Sequence, residues 1–248
     1  LSSGHASMTS LTQSRSLVFL SVHLREEFRG RLFSVALELI RRLNPHWDIL
    51  VIDNASPVDP RPYINISGAQ VRLFCFSDAL GHWSYDGPSA GNGPGRANSK
   101  GIEIALAGDY DRIVYQESDA LCSLPYDWWF ARMTKPVACQ PLCRHRFPDW
   151  NVWAMQGAFM KEFDFIGKYD WANRKAITVG EQVYADIFGE HLQMIPVRGE
   201  RWEHDLDAAK FREVYGPMGG CDLLTHVRTE TFAAFLEMNG FPDLVERL

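Results

Sequence analysis

Apolar residues in this chain fall into short unbroken runs separated by stripes of helical period. Leu17 to Val22 is an apolar run of strand length. Phe28, Leu32, Val35, Ala36, Leu39, Ile40 and Leu43 follow at the spacing that gives a helix one apolar face. Asn44-Pro45 ends that helix. Asp48 to Asp53 reads as a second strand running into the turn-prone Asn54-Ala55-Ser56-Pro57, and Val71 to Phe76 as a third. Units this short, ordered strand, helix, strand, loop, strand, predict an α/β sheet.

Five glycines with Pro88 and Pro94 fill 81–95, a composition that predicts neither helix nor strand there. Helical period returns over Ala97 to Ala107 and stops at Gly108-Asp109. Arg112 to Gln116 is a fourth predicted strand, which delivers Glu117-Ser118-Asp119 at its carboxyl end. Open α/β sheets place ligands at that edge. Beyond Pro125 the pattern is less regular. It predicts a short helix at 127–133, strands at 137–142, 153–160 and 194–197, and a turn at 166–170. Gly180-Glu181-Gln182 opens a helix over 183–188, a short helix fits 207–214, and a last one fits 229–238. No repeat or linker interrupts the chain. The expected organisation is therefore one domain: a loose arm or expression remnant at 1–16, a nucleotide-binding half at 17–125 and a substrate-facing half at 126–248.

Composition narrows the function. Of 248 residues, 46% are hydrophobic, enough for a substantial core. The 25 Lys+Arg against 31 Asp+Glu leave a charge of -6 without a long basic tract, which argues against nonspecific binding of nucleic acid or anionic membrane. No run of 18 apolar residues is present, so no integral membrane segment is expected and a cytoplasmic location is the simplest reading. Five scattered cysteines fit reduced thiols better than a disulfide scaffold. Cys139, Cys143 and His145 are too loosely spaced to specify zinc.

The acidic pair carries the sharpest chemistry. Glu117 and Asp119 repel each other, and a divalent cation with oxygen ligands, Mg²⁺ or Mn²⁺, meets that charge. Such a cation stabilises a diphosphate leaving group. Two ordinary acids on a solvated turn would look the same in isolation; the preceding strand and the glycine-rich loop favour the functional reading. Asp53 also leaves a strand directly, where a carboxylate can accept hydrogen bonds from a base or ribose. Gly91 to Arg96 precedes a helix start, and Arg96 and Lys100 add positive charge for a nucleotide sugar. The run lacks the G-x-G-x-x-G fingerprint, and the chain has neither a Walker A sequence nor a G-x-S-x-G elbow.

With these elements placed, the sequence resembles the GT-A glycosyltransferases of the family 2-like, nucleotide-diphospho-sugar transferase group. Ile49 to Ser56 is similar to that family's second strand, ending Asp-Asn-x-Ser. Gly93 to Gly101 is similar to its G-x-x-x-A-R-N-x-G run, with Asn98 and Ser99 where Arg and Asn are usual. Gly108-Asp109-Tyr110 and Ile113 to Asp119 resemble its G-D-Y strand and D-x-D motif, with Glu117 for the first Asp. Gly180-Glu181-Gln182 stands where Gly-Glu-Asp is common, and Gln182 cannot take a proton.

The resemblance implies a GT-A fold with a mostly parallel mixed sheet. It implies a metal-dependent glycosyltransferase that moves a sugar, a hexose being expected, from a nucleoside-diphosphate sugar to a hydroxyl of a carbohydrate or glycoconjugate. In that scheme Asp119 and Glu117 hold Mn²⁺ or Mg²⁺ with His226 as a third ligand. Asp53, Gly93, Arg96, Lys100 and Glu117 contact the donor, and Glu181 with Asp119 carries catalysis. Trp150, Trp153 and Trp202 are candidate platforms for a sugar ring. Two alternatives remain open: a noncatalytic binding protein of the same fold, and a sugar-phosphate nucleotidyltransferase. The latter usually wants a glycine-rich phosphate loop directly after the first strand, where this chain has Ser21 to Glu27 with no glycine.

Overall fold

The computed structural model describes residues 14–80, 93–141, 148–168, 180–198, 206–225 and 227–248. The amino-terminal half is β1 (Ser16–Val22), α1 (Glu27–Leu43), β2 (Asp48–Asp53), α2 (Arg61–Ser67), β3 (Val71–Cys75), α3 (Gly93–Ala107) and β4 (Arg112–Glu117). Next come β5 (Leu121–Cys122), α4 (Tyr126–Phe130), β6 (Val137–Pro141), β7 (Pro148–Gln156), α5 (Gly157–Glu162), α6 (Phe165–Lys168) and α7 (Gly180–Phe188). The chain ends with β8 (Leu192–Met194), α8 (Ala208–Tyr215), β9 (Leu223–Leu224), α9 (Thr229–Met238) and a 3-10 turn at Pro242–Arg247.

Seven strands form one mixed sheet in the order β3-β2-β1-β4-β7-β6-β8. β3, β2, β1 and β4 are mutually parallel; β7 runs antiparallel to both β4 and β6. A central parallel strand is covered on both faces, which requires a continuous apolar run, and Leu17, Val18, Phe19 and Leu20 are fully buried. On one face Leu17, Phe19, Ile52, Ile113 and Tyr115 meet α3 and α7 through Ala97, Ile102, Val183, Tyr184 and Phe188. On the other, Val18, Leu20, Val51 and Val114 meet Phe33, Leu37 and Ile40 of α1 together with Tyr126 and Trp129. A third cluster packs α8, α9 and the terminal 3-10 turn against the outer side of α1, at Leu32, Val35, Ala36 and Leu39. The product is a single α/β domain with a mostly parallel sheet between helices. A two-stranded antiparallel sheet, β5 with β9, lies beyond β4.

Several predicted boundaries move. α2 occupies a stretch predicted as loop: Pro62 lies in its first turn and Gly68 ends it at φ +70°, so seven residues with little apolar period still close a helix. α3 starts at Gly93, four residues before the predicted start, because glycine and proline are both acceptable in a first helical turn. The predicted strand at 153–160 stops at Gln156. Gly157 turns into α5, with its N–H donated to the Asp111 carbonyl at 2.7 Å. β8 falls at 192–194, before the predicted 194–197. Most of the 81–95 loop and of the 1–16 arm lies outside the described residues. Trp153, offered as a sugar platform, is 1% exposed and packs on Tyr184 and Phe188 in the core. Among the described residues no helix is long and apolar enough to cross a membrane, and Cys75, Cys122 and Cys221 are free thiols.

Candidate functional site

The carboxyl ends of β1, β2 and β4 lie side by side, with Val22 opposite Asp53 and Ser21 opposite Glu117. At about 4.8 Å per strand step, Asp53 and Glu117 are held roughly 10 Å apart across the end of β1. Two clusters of polar groups form along this edge.

The first is the loop after β2. Asp53 is buried and accepts from the Ser56 N–H at 3.1 Å and from the Ser56 hydroxyl. That hydroxyl accepts in turn from the Leu24 N–H at 2.7 Å, so one serine ties the ends of β1 and β2 together. The carboxylate and the Leu24 bond hold Ala55 at φ +50°, a conformation a non-glycine residue rarely takes. His23 lies against the Asn54 carbonyl, with Nδ1 at 3.1 Å.

Asn54 then joins this loop to α3. Its amide donates to the Leu80 carbonyl at 2.7 Å and accepts from Arg96 at 2.6 Å. A side chain at Gly93 would overlap both the Asn54 amide and Leu80, so glycine is what permits this closure. Arg96 also donates to the Asp78 carboxylate and carbonyl, and its guanidinium lies 3.9 Å from the centroid of the Phe76 ring. At 7% exposed, Arg96 braces the segment after β3 rather than offering charge to solvent. Lys100, one turn on, donates to Glu103 at 2.9 Å and lies over Phe74. Neighbouring Asn98 is buried, and among the described residues neither end of its amide has a hydrogen-bond partner.

The second cluster is the acidic turn. The chain folds back after Glu117, its carbonyl accepting from the Ala120 N–H at 3.2 Å. Strand alternation puts Glu117 on the α3 and α7 face with Tyr115. Asp119 Oδ2 instead meets the Arg29 guanidinium, from the first turn of α1, at 3.3 Å. The two acids therefore occupy a turn, with Asp119 facing α1. A buried chain supports this turn from below. Asn44 caps α1 and accepts from the Tyr126 N–H at 2.7 Å; the Tyr126 hydroxyl donates to Gln116 at 2.8 Å, and Gln116 donates to the Ala120 carbonyl at 2.9 Å. Burial pushes the Tyr126 hydroxyl well above its ordinary pKa, so it stays a neutral donor. From the other side, the Thr225 hydroxyl at the end of β9 donates to the Asp119 carbonyl at 3.4 Å.

Asp53, Gly93 and Arg96 are thus brought together at one edge of the sheet, and Glu117 and Asp119 lie along the same edge. Lys100 is turned to its own helix. His226 lies outside the described residues, although its neighbour Thr225 touches Asp119. Glu181 is in the first turn of α7, on the face shared with Glu117, and its side chain lies outside the description. Among the described residues no three His, Cys, Asp or Glu side chains gather as a metal cluster. Carboxylate oxygens are the donors a hard cation takes, but Glu117 is turned to the α3 and α7 face while Asp119 faces the Arg29 guanidinium on the α1 side. Arg29 and Ser56 were missed in the sequence. Ser56 had a signal in the Asp-x-x-Ser turn pattern, whereas nothing local links Arg29 to a residue 90 positions away.

Strand order, the antiparallel β7 and the flanking helices give the chain a GT-A-like α/β architecture. Solved structures similar to it in fold include the bifunctional glycosyltransferase WbbM in its apo form, at TM-score 0.60 and 11% identity over 96% of this chain and 52% of that one. The glycosyltransferase GlyE of Streptococcus pneumoniae aligns at TM-score 0.55 and 10% identity, over 94% of this chain and 63% of its own. The mannosyltransferase PcManGT of Pyrobaculum calidifontis, in complex with GDP-Man and Mn²⁺, aligns at TM-score 0.50 and 11% identity, over 95% and 70%. The chain spans about half to two-thirds of the length of WbbM and GlyE. At these identities the likeness is one of fold. No protein-family model and no curated protein matches the sequence.

Proposed function

We propose that this protein is a glycosyltransferase of the family 2-like type, moving a hexosyl group from a nucleoside-diphosphate sugar to a hydroxyl of a carbohydrate or glycoconjugate acceptor. The observation that carries the reading is the placement of the Asp53 loop and the Glu117–Asp119 turn on one carboxyl edge, either side of β1, in a GT-A-like sheet. Ligands of open α/β sheets bind outside that edge.

The Asp53 loop forms the base end of the donor site, with Asn54, Gly93 and Arg96 fixing its shape. The Glu117–Asp119 turn forms the diphosphate end. Asp119 and Glu117, with His226 as the proposed third ligand, would hold Mn²⁺ or Mg²⁺, which supplies charge neutralisation to a departing diphosphate. The buried chain through Gln116 and Tyr126 keeps the turn in one geometry, so its carboxylates need little reorganisation when the donor arrives. Glu181 is the proposed base for the acceptor hydroxyl, reached from the α7 side.

The test is turnover. Incubated with a panel of UDP-, GDP- and dTDP-hexoses, Mn²⁺ and simple glycoside acceptors, the protein should release nucleoside diphosphate from at least one donor. Absence of release across the panel, alongside tight binding of one of its donors, would leave a binding protein of the same fold and remove the transferase reading.

A further inference from the structure

Four arginines lie on α1, and three of them tie the helix to itself or to the chain end. Arg31 donates to the Leu248 carbonyl, and Arg41 and Arg42 share the buried Glu38 carboxylate, Arg42 also reaching Asp243. Arg29 alone among them points to the ligand edge, where its Nη1 lies 3.3 Å from Asp119 Oδ2. Its backbone is well fixed. Gly30 admits the Tyr63 ring of α2 so closely that any side chain there would overlap it, which clamps the first turn of α1. The guanidinium itself is half exposed, while Asp119 is only 22% exposed.

We propose that Arg29 is the built-in counter-cation of this site: it holds Asp119 while the donor is absent and transfers its charge to the donor's diphosphate when metal and nucleotide arrive. This rests on the donor-site reading given above. A half-exposed pair of this kind contributes little to stability, so a divalent ion can displace it. Once displaced, the planar guanidinium has donors suited to phosphate oxygens and lies beside the amino end of α1, which adds its own positive potential. Arg29 therefore acts twice, with opposite signs: it opposes metal binding to the empty protein and favours the diphosphate. A purely structural arginine has no reason to produce that pair of effects.

The experiment titrates Mn²⁺ alone, by electron paramagnetic resonance, into the parent protein, Arg29→Gln, Arg29→Lys and Asp119→Asn. UDP and GDP are then titrated separately, by calorimetry in saturating Mn²⁺. Unchanged circular dichroism and melting establish that each variant is folded. Arg29→Gln should bind Mn²⁺ about 3- to 10-fold more tightly than the parent and the preferred nucleoside diphosphate several-fold more weakly, about the scale of one exposed charge pair. Arg29→Lys should fall between the two, and Asp119→Asn should bind little Mn²⁺. Equal Mn²⁺ affinity in the parent and Arg29→Gln, or no Mn²⁺ binding by either, overturns the proposal, as does a change of the same sign for metal and nucleotide. If Mn²⁺ separates the two forms while neither UDP nor GDP binds the parent, the transfer of charge to a diphosphate is overturned together with the donor-site reading; if a nucleotide binds but Arg29→Gln leaves its affinity unchanged, the proposal alone fails.

Discussion

At Gly157 a methyl group would overlap the carbonyl of Tyr110, a backbone atom that cannot move aside. The same residue donates its N–H to Asp111, so the end of β7 is stitched to the turn before β4. Gly157→Ala should lower the unfolding free energy by about 2–4 kcal/mol in urea titrations, and a loss below about 0.5 kcal/mol would contradict the contact. Tyr126 shows the complementary case, in which one hydroxyl carries the effect. Tyr126→Phe keeps the ring in its buried slot but leaves Gln116 without its donor, under the acidic turn. About 1–3 kcal/mol should be lost, because a buried acceptor is stranded. Neither residue stands out in the sequence: a glycine inside an apolar run reads as strand, and a tyrosine beside two tryptophans reads as core.

At the scale of elements, α1 is the helix whose pattern was plainest and whose role was least visible. Its apolar stripe gave its limits to within a residue, since seven apolar positions at helical spacing have no other low-energy use. Its electrostatics could not be read the same way. Glu38 is 3% exposed; burial alone would raise its pKa, but hydrogen bonds and charge from Arg41 and Arg42 outweigh it and hold the carboxyl below its ordinary 4.5. A carboxylate lowered by folding adds stability above its unfolded pKa and loses it as pH falls through the folded value. Stability of the parent should therefore decline below about pH 4.5, and Glu38→Gln should decline less steeply while being about 1–3 kcal/mol weaker at pH 7. Denaturant melts at pH 3 to 7 check this, and parallel pH profiles would refute it. Elements without periodicity were the ones misplaced. α2 depends on proline and Gly68 rather than an apolar face, β8 has three residues, and β5 and β9 have two each, paired across a hundred positions. Such short strands exist only because a partner is nearby, and a local pattern cannot register that.

For the molecule as a whole, the parallel strands announced the α/β fold because burial on both faces leaves unbroken apolar runs. The carboxyl edge was legible for the same reason: once strand direction is known, Asp53 and Asp119 must emerge on one side. What stayed hidden was contact across sequence distance, as between Arg29 and Asp119, or Thr225 and Asp119. The packing also predicts the behaviour of the thiols. Burial pushes Cys122 and Cys221 up to about 12, and Cys139 is fully enclosed, whereas Cys75 is exposed on β3. Of these four, iodoacetamide at pH 8 should mark Cys75 first in the folded protein, and all four at similar rates in urea. Mass mapping that found Cys122 modified as fast as Cys75 would contradict the closed core.

In the proposed site Asp119, at the mouth of β4, meets a nucleotide sugar's diphosphate through a cation. The direct measurement is calorimetric titration of the preferred nucleotide sugar with and without Mn²⁺, in the parent and in Asp119→Asn. Binding to the parent should tighten about tenfold or more with Mn²⁺, and that gain should vanish in Asp119→Asn with its fold intact. An equal Mn²⁺ gain in both proteins would contradict it.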